Sequence, residues 1–121
     1  MLKGTSGEPL VGTGDAMLGA RVPIDIKTDL DGHVHPGRGG MSVTPDDPAR
    51  LPPHFRPVSL GGFGKLPVFG VETTKLGDPL FYRPDLKKPT RHGYVEPRTV
   101  MSIAAYQVAI AATAPHWQEI V

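Results

Sequence analysis

The chain has 121 residues, of which 39% are hydrophobic, and its formal net charge at pH 7 is +1. That length supports one small domain, and the near-neutral charge without a block of like charges does not favour nucleic-acid binding through phosphates. Cysteine is absent, which excludes disulfides, thiolate catalysis and cysteine-based zinc sites and favours folding in the cytosol. The 15 glycines and 14 prolines predict long irregular segments around small sheets.

Residues 1–19 are rich in glycine and weakly patterned, which predicts a flexible N-terminal arm before a single domain over residues 20–121. This arm contains no unbroken apolar stretch of the kind found in a secretory signal. No segment of the chain approaches the ~18 apolar residues of a membrane span. We therefore expect a cytoplasmic protein without membrane contact, whose export would need a route independent of a Sec signal.

The first patterned segment follows this arm. Val22, Ile24 and Ile26 alternate with polar residues, which predicts a half-buried strand that Pro23 makes irregular.

Residues 31–45 then combine four glycines with two histidines, Arg38 and Ser42. The glycines can take positive φ or admit a ligand close to the backbone, and the two donor side chains suit a phosphate or a ribose. An ordinary surface loop would use the same residues for its turns, so both interpretations stay open.

Five prolines between residues 45 and 57 predict an irregular, rigid excursion. Residues 66–71 and 80–83 then have the character of two short strands that pair with each other across a loop. A third strand is predicted over residues 92–97. In that strand His92, Tyr94 and Glu96 would share one face and line a cleft, although a merely solvated strand face would have the same pattern.

The last patterned segment is helical. Ser102 is a suitable N-cap for a helix over residues 103–113, in which Tyr106 and Ile110 are spaced to pack on a sheet, and Pro115 suits the first turn of a short final helix. Together, the short alternating runs and the single helical window predict an α+β domain. Its two small, curved antiparallel sheets would enclose a cleft, with one C-terminal helix packed against them.

Three chemical motifs are only partly present in the sequence. His33 and His35 would share one face of a strand, but no HExxH motif is present and we expect no metal site. The glycines at 61–64 before Lys65 lack the spacing of a phosphate-binding Walker loop. A Ser-His-Asp hydrolase interpretation of Ser42 fails because the sequence around it does not form a complete nucleophile elbow, with Thr44 where the second glycine would stand.

Several short motifs, read in order, carry a resemblance that covers roughly residues 20–117. They are Ala20-Arg-Val-Pro23, Asp31-Gly32, Gly39-Gly-Met-Ser-Val43, the 80–85 run, His92-Gly-Tyr-Val-Glu-Pro97 and Met101. In order and spacing they resemble the small toxin family that bacterial type VI secretion delivers, whose fold is similar to that of mono-ADP-ribosyltransferases. The resemblance implies an ADP-ribosyltransferase-like fold with NAD as substrate.

Members of that family have a cleft with an arginine, a serine and a histidine from three separate segments, which correspond here to Arg21, Ser42 and His92. The chemistry of these residues suggests their roles: Arg21 would anchor the phosphates of NAD, Ser42 would position the nicotinamide ribose or the glycine loop itself, and His92 would hydrogen-bond the ribose hydroxyls.

Three further residues complete the expected site. Gly39 and Gly40, before Ser42, would admit the dinucleotide close to the backbone. Glu96 alternates with His92 and, by analogy with other transferases, would stabilise the positive charge that develops as the glycosidic bond opens.

The expected function is therefore a bacterial toxin that acts in the cytosol of a target cell as an NAD-dependent ADP-ribosyltransferase or NAD glycohydrolase. Its expected partners are an immunity protein or antitoxin and an acceptor that the sequence does not identify. Two other interpretations remain: a non-enzymatic module that presents its glycine and proline loops to a protein, and a metal-dependent hydrolase built on His33, His35 and His54.

Overall fold

The computed structural model describes residues 4–5, 8–14 and 17–120. The strands are β1 Gly4–Thr5, β2 Glu8–Pro9, β3 His33–Val34, β4 Met41–Val43, β5 Phe69–Gly70, β6 Leu80–Pro84, β7 Gly93–Pro97, β8 Met101–Ser102 and β9 Gln118–Glu119. Helix α1 spans Ile103–Ala111, and short 3₁₀ turns occupy Pro48–Arg50, Val58–Leu60, Thr73–Lys75 and Ala114–His116. No helix in this part of the chain has the length and apolar character needed to cross a membrane.

The strands pair in antiparallel fashion. The largest sheet has the order β4-β7-β6, and the other described strands form the two-stranded pairs β1·β2, β3·β8 and β5·β9. The predicted α+β domain with small antiparallel sheets and one helix near its C-terminus is confirmed at this level. The expected number of two sheets was wrong for the described residues, because short strands separated by proline-rich segments form separate pairs.

The core lies between one face of the three-stranded sheet and helix α1. Met41, Leu80 and Val95 come from the sheet, and Tyr106 and Ile110 come from the helix. The Tyr106 hydroxyl donates a hydrogen bond to the Val95 carbonyl and accepts one from the Met41 N–H at 3.0 Å. One buried hydroxyl therefore ties the helix to two strands.

Both ends of α1 follow from local chemistry. Ser102 Oγ accepts a hydrogen bond from the Ala105 N–H at 3.1 Å, which confirms the predicted N-cap. The helix ends at Ala111, two residues before the predicted limit of 113, because the chain tightens there into the turn Ala114–His116. Pro115 lies in the first positions of that turn, as predicted.

Residues 22–26 do not form the predicted strand. The Asp25 N–H donates to the Arg21 carbonyl at 2.7 Å, which closes a turn, and the side chains of Val22 and Ile24 are 45% and 71% exposed. Ile26 is buried and makes an isolated bridge to Gly39. Proline at position 23 has no N–H for a strand ladder, so the local turn prevails over the alternating pattern.

The predicted pairing of residues 66–71 with 80–83 was wrong. Strand β5 pairs with β9, whereas β6 pairs with β7 over five residue pairs. The loop from Asp85 to His92 is short and closes with a hydrogen bond from the Asp85 N–H to the His92 carbonyl at 3.1 Å. Because the loop between the two strands is short, closing it costs little conformational entropy of the chain, and this favours the β6·β7 pairing.

Packing begins before Ala20, the first residue of the predicted domain. Leu18 is 1% exposed within the core, and its N–H donates to the Leu10 carbonyl at 2.8 Å. Apolar burial of Leu18 therefore anchors this end of the predicted arm. The remainder of that prediction falls partly on residues 1–3, 6–7 and 15–16, which lie outside the described residues.

Candidate functional site

The outer surface of the three-stranded sheet carries polar side chains from three separate segments, and we call it the polar face. In β7 the side chains of Tyr94 and Glu96 lie on the opposite side from buried Val95. Tyr94 stands between Ser42 of β4 and Arg83 of β6 in the strand register. The strand predicted over residues 92–97 is confirmed over Gly93–Pro97, and it brings Ser42 beside Tyr94. Glu96, which was expected to line a cleft on this face, is instead buried.

Glu96 is the most buried member of this face, with 1% of its surface exposed. Its Oε1 accepts hydrogen bonds from Arg83 Nε at 2.7 Å and from the Gly37 N–H at 2.9 Å. The Arg83 guanidinium also lies 5.0 Å from the centre of the Phe81 ring. Glu96 thus has two partners within the protein: it orients Arg83 and holds the glycine-rich segment on the sheet, roles that the sequence did not suggest.

His92 lies at the end of the polar face, one residue before β7. Its Nδ1 is 3.0 Å from Asp85 Oδ2, and its ring meets the Tyr94 ring edge-on with centroids 4.7 Å apart. The hydrogen bond from His92 lowers the pKa of the Asp85 carboxyl, and a second bond from the Lys87 N–H adds to this effect. His92 therefore stands beside an anionic carboxylate at neutral pH.

A cavity of about 540 Å³ lies on the other side of strand β4. It is lined by residues of the sheet and by residues of the β5·β9 region, including the aromatic side chains of Phe69 and Trp117. Ser42 also lines it, so this edge strand borders both the cavity and the polar face. Asp46 and Glu72 are the charged residues among the described lining; both are exposed, and Asp46 Oδ2 lies 3.7 Å from Arg50 Nη1.

Arg21 lies elsewhere. Its guanidinium pairs with Asp25, with Nη2–Oδ1 and Nε–Oδ2 distances of 3.2 and 3.3 Å. Arg21 borders a depression formed with Ile24 and with Gln107 of α1, and that depression shares no described lining residue with the cavity at Ser42. The structure thus places Ser42 and His92 at one sheet and Arg21 at another surface.

The arginine on the polar face is Arg83, which sequence reasoning did not select. The signal lies in β6, where Phe81 and Arg83 alternate with buried Leu80. That signal identifies a site residue only when β6 is paired with β7, and the sequence had paired it with residues 66–71.

Gly39 and Gly40 serve the fold. A Cβ atom on Gly39, whose φ is +96°, would lie 2.5 Å from the Asp25 carbonyl oxygen. One on Gly40 would lie 2.3 Å from the Val95 carbonyl oxygen. Both glycines therefore let the protein's own backbone approach, where the sequence had suggested an approach by NAD.

The histidines considered for a metal site are spread over two regions. Asp29 Oδ2 is 2.8 Å from His35 Nε2, and its Oδ1 is 3.9 Å from His33 Nδ1. His54 instead contacts Phe55, with ring centroids 4.1 Å apart and ring planes inclined by 43°. The described residues contain no group of three histidine or acidic side chains that could hold a metal ion.

Comparisons with protein families, with curated proteins and with solved structures found no match for this chain.

Proposed function

We propose that the chain is an NAD-cleaving enzyme of the mono-ADP-ribosyltransferase kind, which transfers ADP-ribose to an acceptor or to water. The observation that carries the proposal is the position of Ser42. It lies on an edge strand that separates an aromatic-lined cavity from a polar face bearing Tyr94, Arg83 and, at its end, His92. A dinucleotide lying across this strand would meet an apolar environment at one end and hydrogen-bonding groups at the other.

The cavity suits the nicotinamide end of NAD. Its volume lies within the range of small-ligand sites, and Phe69 and Trp117 offer apolar surface to a planar ring. The oxidised nicotinamide ring carries a positive charge, so the carboxylates of Asp46 and Glu72 favour it electrostatically. The same carboxylates disfavour the phosphates, which would have to lie outside the cavity.

The polar face supplies groups for the remainder of the dinucleotide. Arg83 is fixed by Glu96 and keeps 45% of its side chain exposed, so its guanidinium can bind the diphosphate. Ser42 and His92 would then contact the nicotinamide ribose, the role expected for them from the sequence. In this proposal Arg83 replaces Arg21 as the phosphate anchor.

The proposed reaction requires the enzyme to favour a transition state in which positive charge moves from the nicotinamide ring to the ribose. The site contributes orientation of the ribose by Ser42 and His92 and fixation of the phosphates by Arg83. Because both ends of the substrate are held, C1′ of the nicotinamide ribose is oriented toward the acceptor when the glycosidic bond breaks.

Incubation of the purified chain with NAD, followed by chromatographic measurement of released nicotinamide, tests the proposal. Ser42→Ala should lower kcat at least about 10-fold, whereas Ser59→Ala, the same change in the exposed turn Val58–Leu60, should leave it unchanged. Arg83→Lys should raise KM for NAD, and Arg21→Lys should not. Absence of nicotinamide release from the wild-type chain in the presence of candidate acceptors contradicts the proposal.

The toxin interpretation has its own test. Expression of an NAD-consuming enzyme in the bacterial cytosol should arrest growth, and Ser42→Ala should relieve the arrest at equal soluble yield. We propose that a cognate immunity protein binds over the site, since occlusion of Ser42 would block access to both sides of β4. Normal growth at high soluble expression contradicts this role.

A further inference from the structure

We infer that Asp85 is a positioning residue that holds His92 in one tautomer, so that His92 Nε2 accepts the proton of the attacking nucleophile. This inference rests on the proposed function and adds a role that the resemblance does not supply. The carboxylate Oδ2 lies 3.0 Å from His92 Nδ1. A carboxylate only accepts hydrogen bonds, so Nδ1 must carry the hydrogen, and neutral His92 presents a lone pair at Nε2.

Both partners are fixed by their surroundings. Asp85 Oδ1 accepts a hydrogen bond from the Lys87 N–H at 3.0 Å, which leaves Oδ2 directed to the imidazole. The His92 N–H donates to the Lys88 carbonyl at 2.9 Å, and the edge contact with Tyr94 restrains the ring. The 85–92 loop therefore holds the carboxylate and the imidazole together before any substrate binds.

The pair is partly shielded but accessible. The His92 side chain is 31% exposed and that of Asp85 is 20% exposed. A histidine that accepts a proton from a substrate must be accessible from solvent, whereas the residue that orients it need not be. His92 is accordingly the more exposed of the two side chains. An imidazole whose second nitrogen is bound to a carboxylate is the arrangement of a general base with its orienting group.

The inferred reaction forms one bond at the ribose and breaks another. The hydroxyl oxygen of water or of the acceptor forms a bond to C1′ of the ribose, and the bond between C1′ and the nicotinamide nitrogen breaks. Its electron pair leaves with nicotinamide, which becomes neutral. The hydroxyl proton passes to His92 Nε2, and the resulting imidazolium is stabilised by the Asp85 carboxylate until the proton returns to solvent.

The experiment combines nitrogen-15 NMR of the histidine rings with steady-state NAD cleavage, using the full chain. The wild type should show the Nδ1–H tautomer for neutral His92. Asp85→Asn should lose that preference, because an amide can also donate to Nδ1. In the same variant kcat should fall about 100-fold with KM for NAD changed less than about twofold.

The matched control is Asp78→Asn, which removes the same charge from the exposed turn before β6 and should alter neither the tautomer nor kcat. An Nε2–H tautomer in the wild type, or an unchanged kcat in a folded Asp85→Asn variant, overturns the inference while NAD cleavage stands. Absence of NAD cleavage by the wild type overturns the proposed function and the base role with it.

Discussion

The two faces of the three-stranded sheet differ in composition: one packs in the core and the other carries polar side chains. Successive residues of β7 point alternately to the core, where Val95 packs, and to the polar face, where Tyr94 and Glu96 lie. The core face is built from apolar contacts with α1 and from the hydrogen bonds of the Tyr106 hydroxyl. The polar face is built from groups that orient one another, and their substitution should affect chemistry more than folding.

Glu96 is an exception to this difference between the two faces. It belongs to the polar face by register, yet it is as deeply buried as the core residues. A carboxylate is costly to bury unless charged or N–H donors surround it, and Arg83 and Gly37 supply such donors. The polar face therefore contains one structural element of its own, which couples the glycine-rich segment to the proposed phosphate-binding arginine.

The largest expected effect is on the core face. Leu80 is 1% exposed, so Leu80→Ala removes buried methyl groups and leaves a cavity. The free energy of unfolding should fall by about 2 to 5 kcal/mol, as measured by denaturant titration. Leu86→Ala is the matched control: Leu86 is 92% exposed in the loop after β6, and its truncation should change stability by less than about 0.5 kcal/mol. Equal losses in the two variants would contradict the assignment of the two environments.

A smaller loss should follow when the Glu96 pair is broken. Arg83→Met leaves the buried carboxylate without its charged partner and should lower the free energy of unfolding by about 2 kcal/mol. Glu96→Gln removes the charge but keeps an oxygen acceptor, so its cost should be about 1 kcal/mol. Arg91→Met, at an exposed position, serves as the control. A larger loss of unfolding free energy for Glu96→Gln than for Arg83→Met would contradict the expectation that an unpaired buried carboxylate is the main source of destabilisation.

The sequence predicted the elements whose signals are local. Ser102 is followed by a helical apolar pattern, and residues 93–97 alternate strictly, so the N-cap and the two faces of β7 were both found. Pro23 carried a competing local signal, and the turn that it favours prevailed over the alternation of Val22, Ile24 and Ile26.

The site residues that were missed depend on contacts between distant segments. Arg83 joins the polar face only because β6 pairs with β7, and β5 finds its partner in residues 118–119 near the end of the chain. The burial of Glu96 requires Gly37, 59 positions away in the sequence. The alternating pattern of β7 assigned Glu96 to the polar face. Whether a residue of that face is exposed or buried depends on contacts with segments that are distant in the sequence, here the segment of Gly37.

Acidification should weaken the two carboxylate–histidine contacts outside the core. Hydrogen bonds from His35 and from the His33 N–H lower the pKa of Asp29 from 3.8 to about 2, and the bond from His92 lowers that of Asp85. A carboxyl with a lowered folded-state pKa adds stability above its unfolded pKa, and this contribution disappears as pH falls through the folded value. Stability should therefore decline between about pH 4 and pH 2. Thermal melts across this range should show a shallower decline for Asp29→Asn, and an unchanged slope would contradict the assignment.

The smallest expected effect follows removal of the Tyr82 hydroxyl, and the Tyr106 hydroxyl provides the contrast. Tyr106 makes two hydrogen bonds through its hydroxyl, whereas the buried Tyr82 hydroxyl has no partner among the described residues. Burial raises the pKa of both phenols, so each remains a neutral hydroxyl at physiological pH. Tyr106→Phe removes both of these buried hydrogen bonds and should cost about 1 to 3 kcal/mol. Tyr82→Phe removes a polar atom that gains nothing from its surroundings.

Stability of the Tyr82→Phe variant should therefore match the wild type within about 0.5 kcal/mol or exceed it slightly, because the cost of desolvating the hydroxyl is removed. The ring itself must be kept: a Cβ atom at Gly93 would lie 2.4 Å from the Tyr82 ring, so the two residues are packed together. Paired denaturant titrations of the two phenylalanine variants measure the difference directly. If Tyr82→Phe lowers the free energy of unfolding as much as Tyr106→Phe does, the Tyr82 hydroxyl has a hydrogen-bond partner in solution. The residues lining the cavity beside Ser42, which include Tyr82, would then be arranged differently.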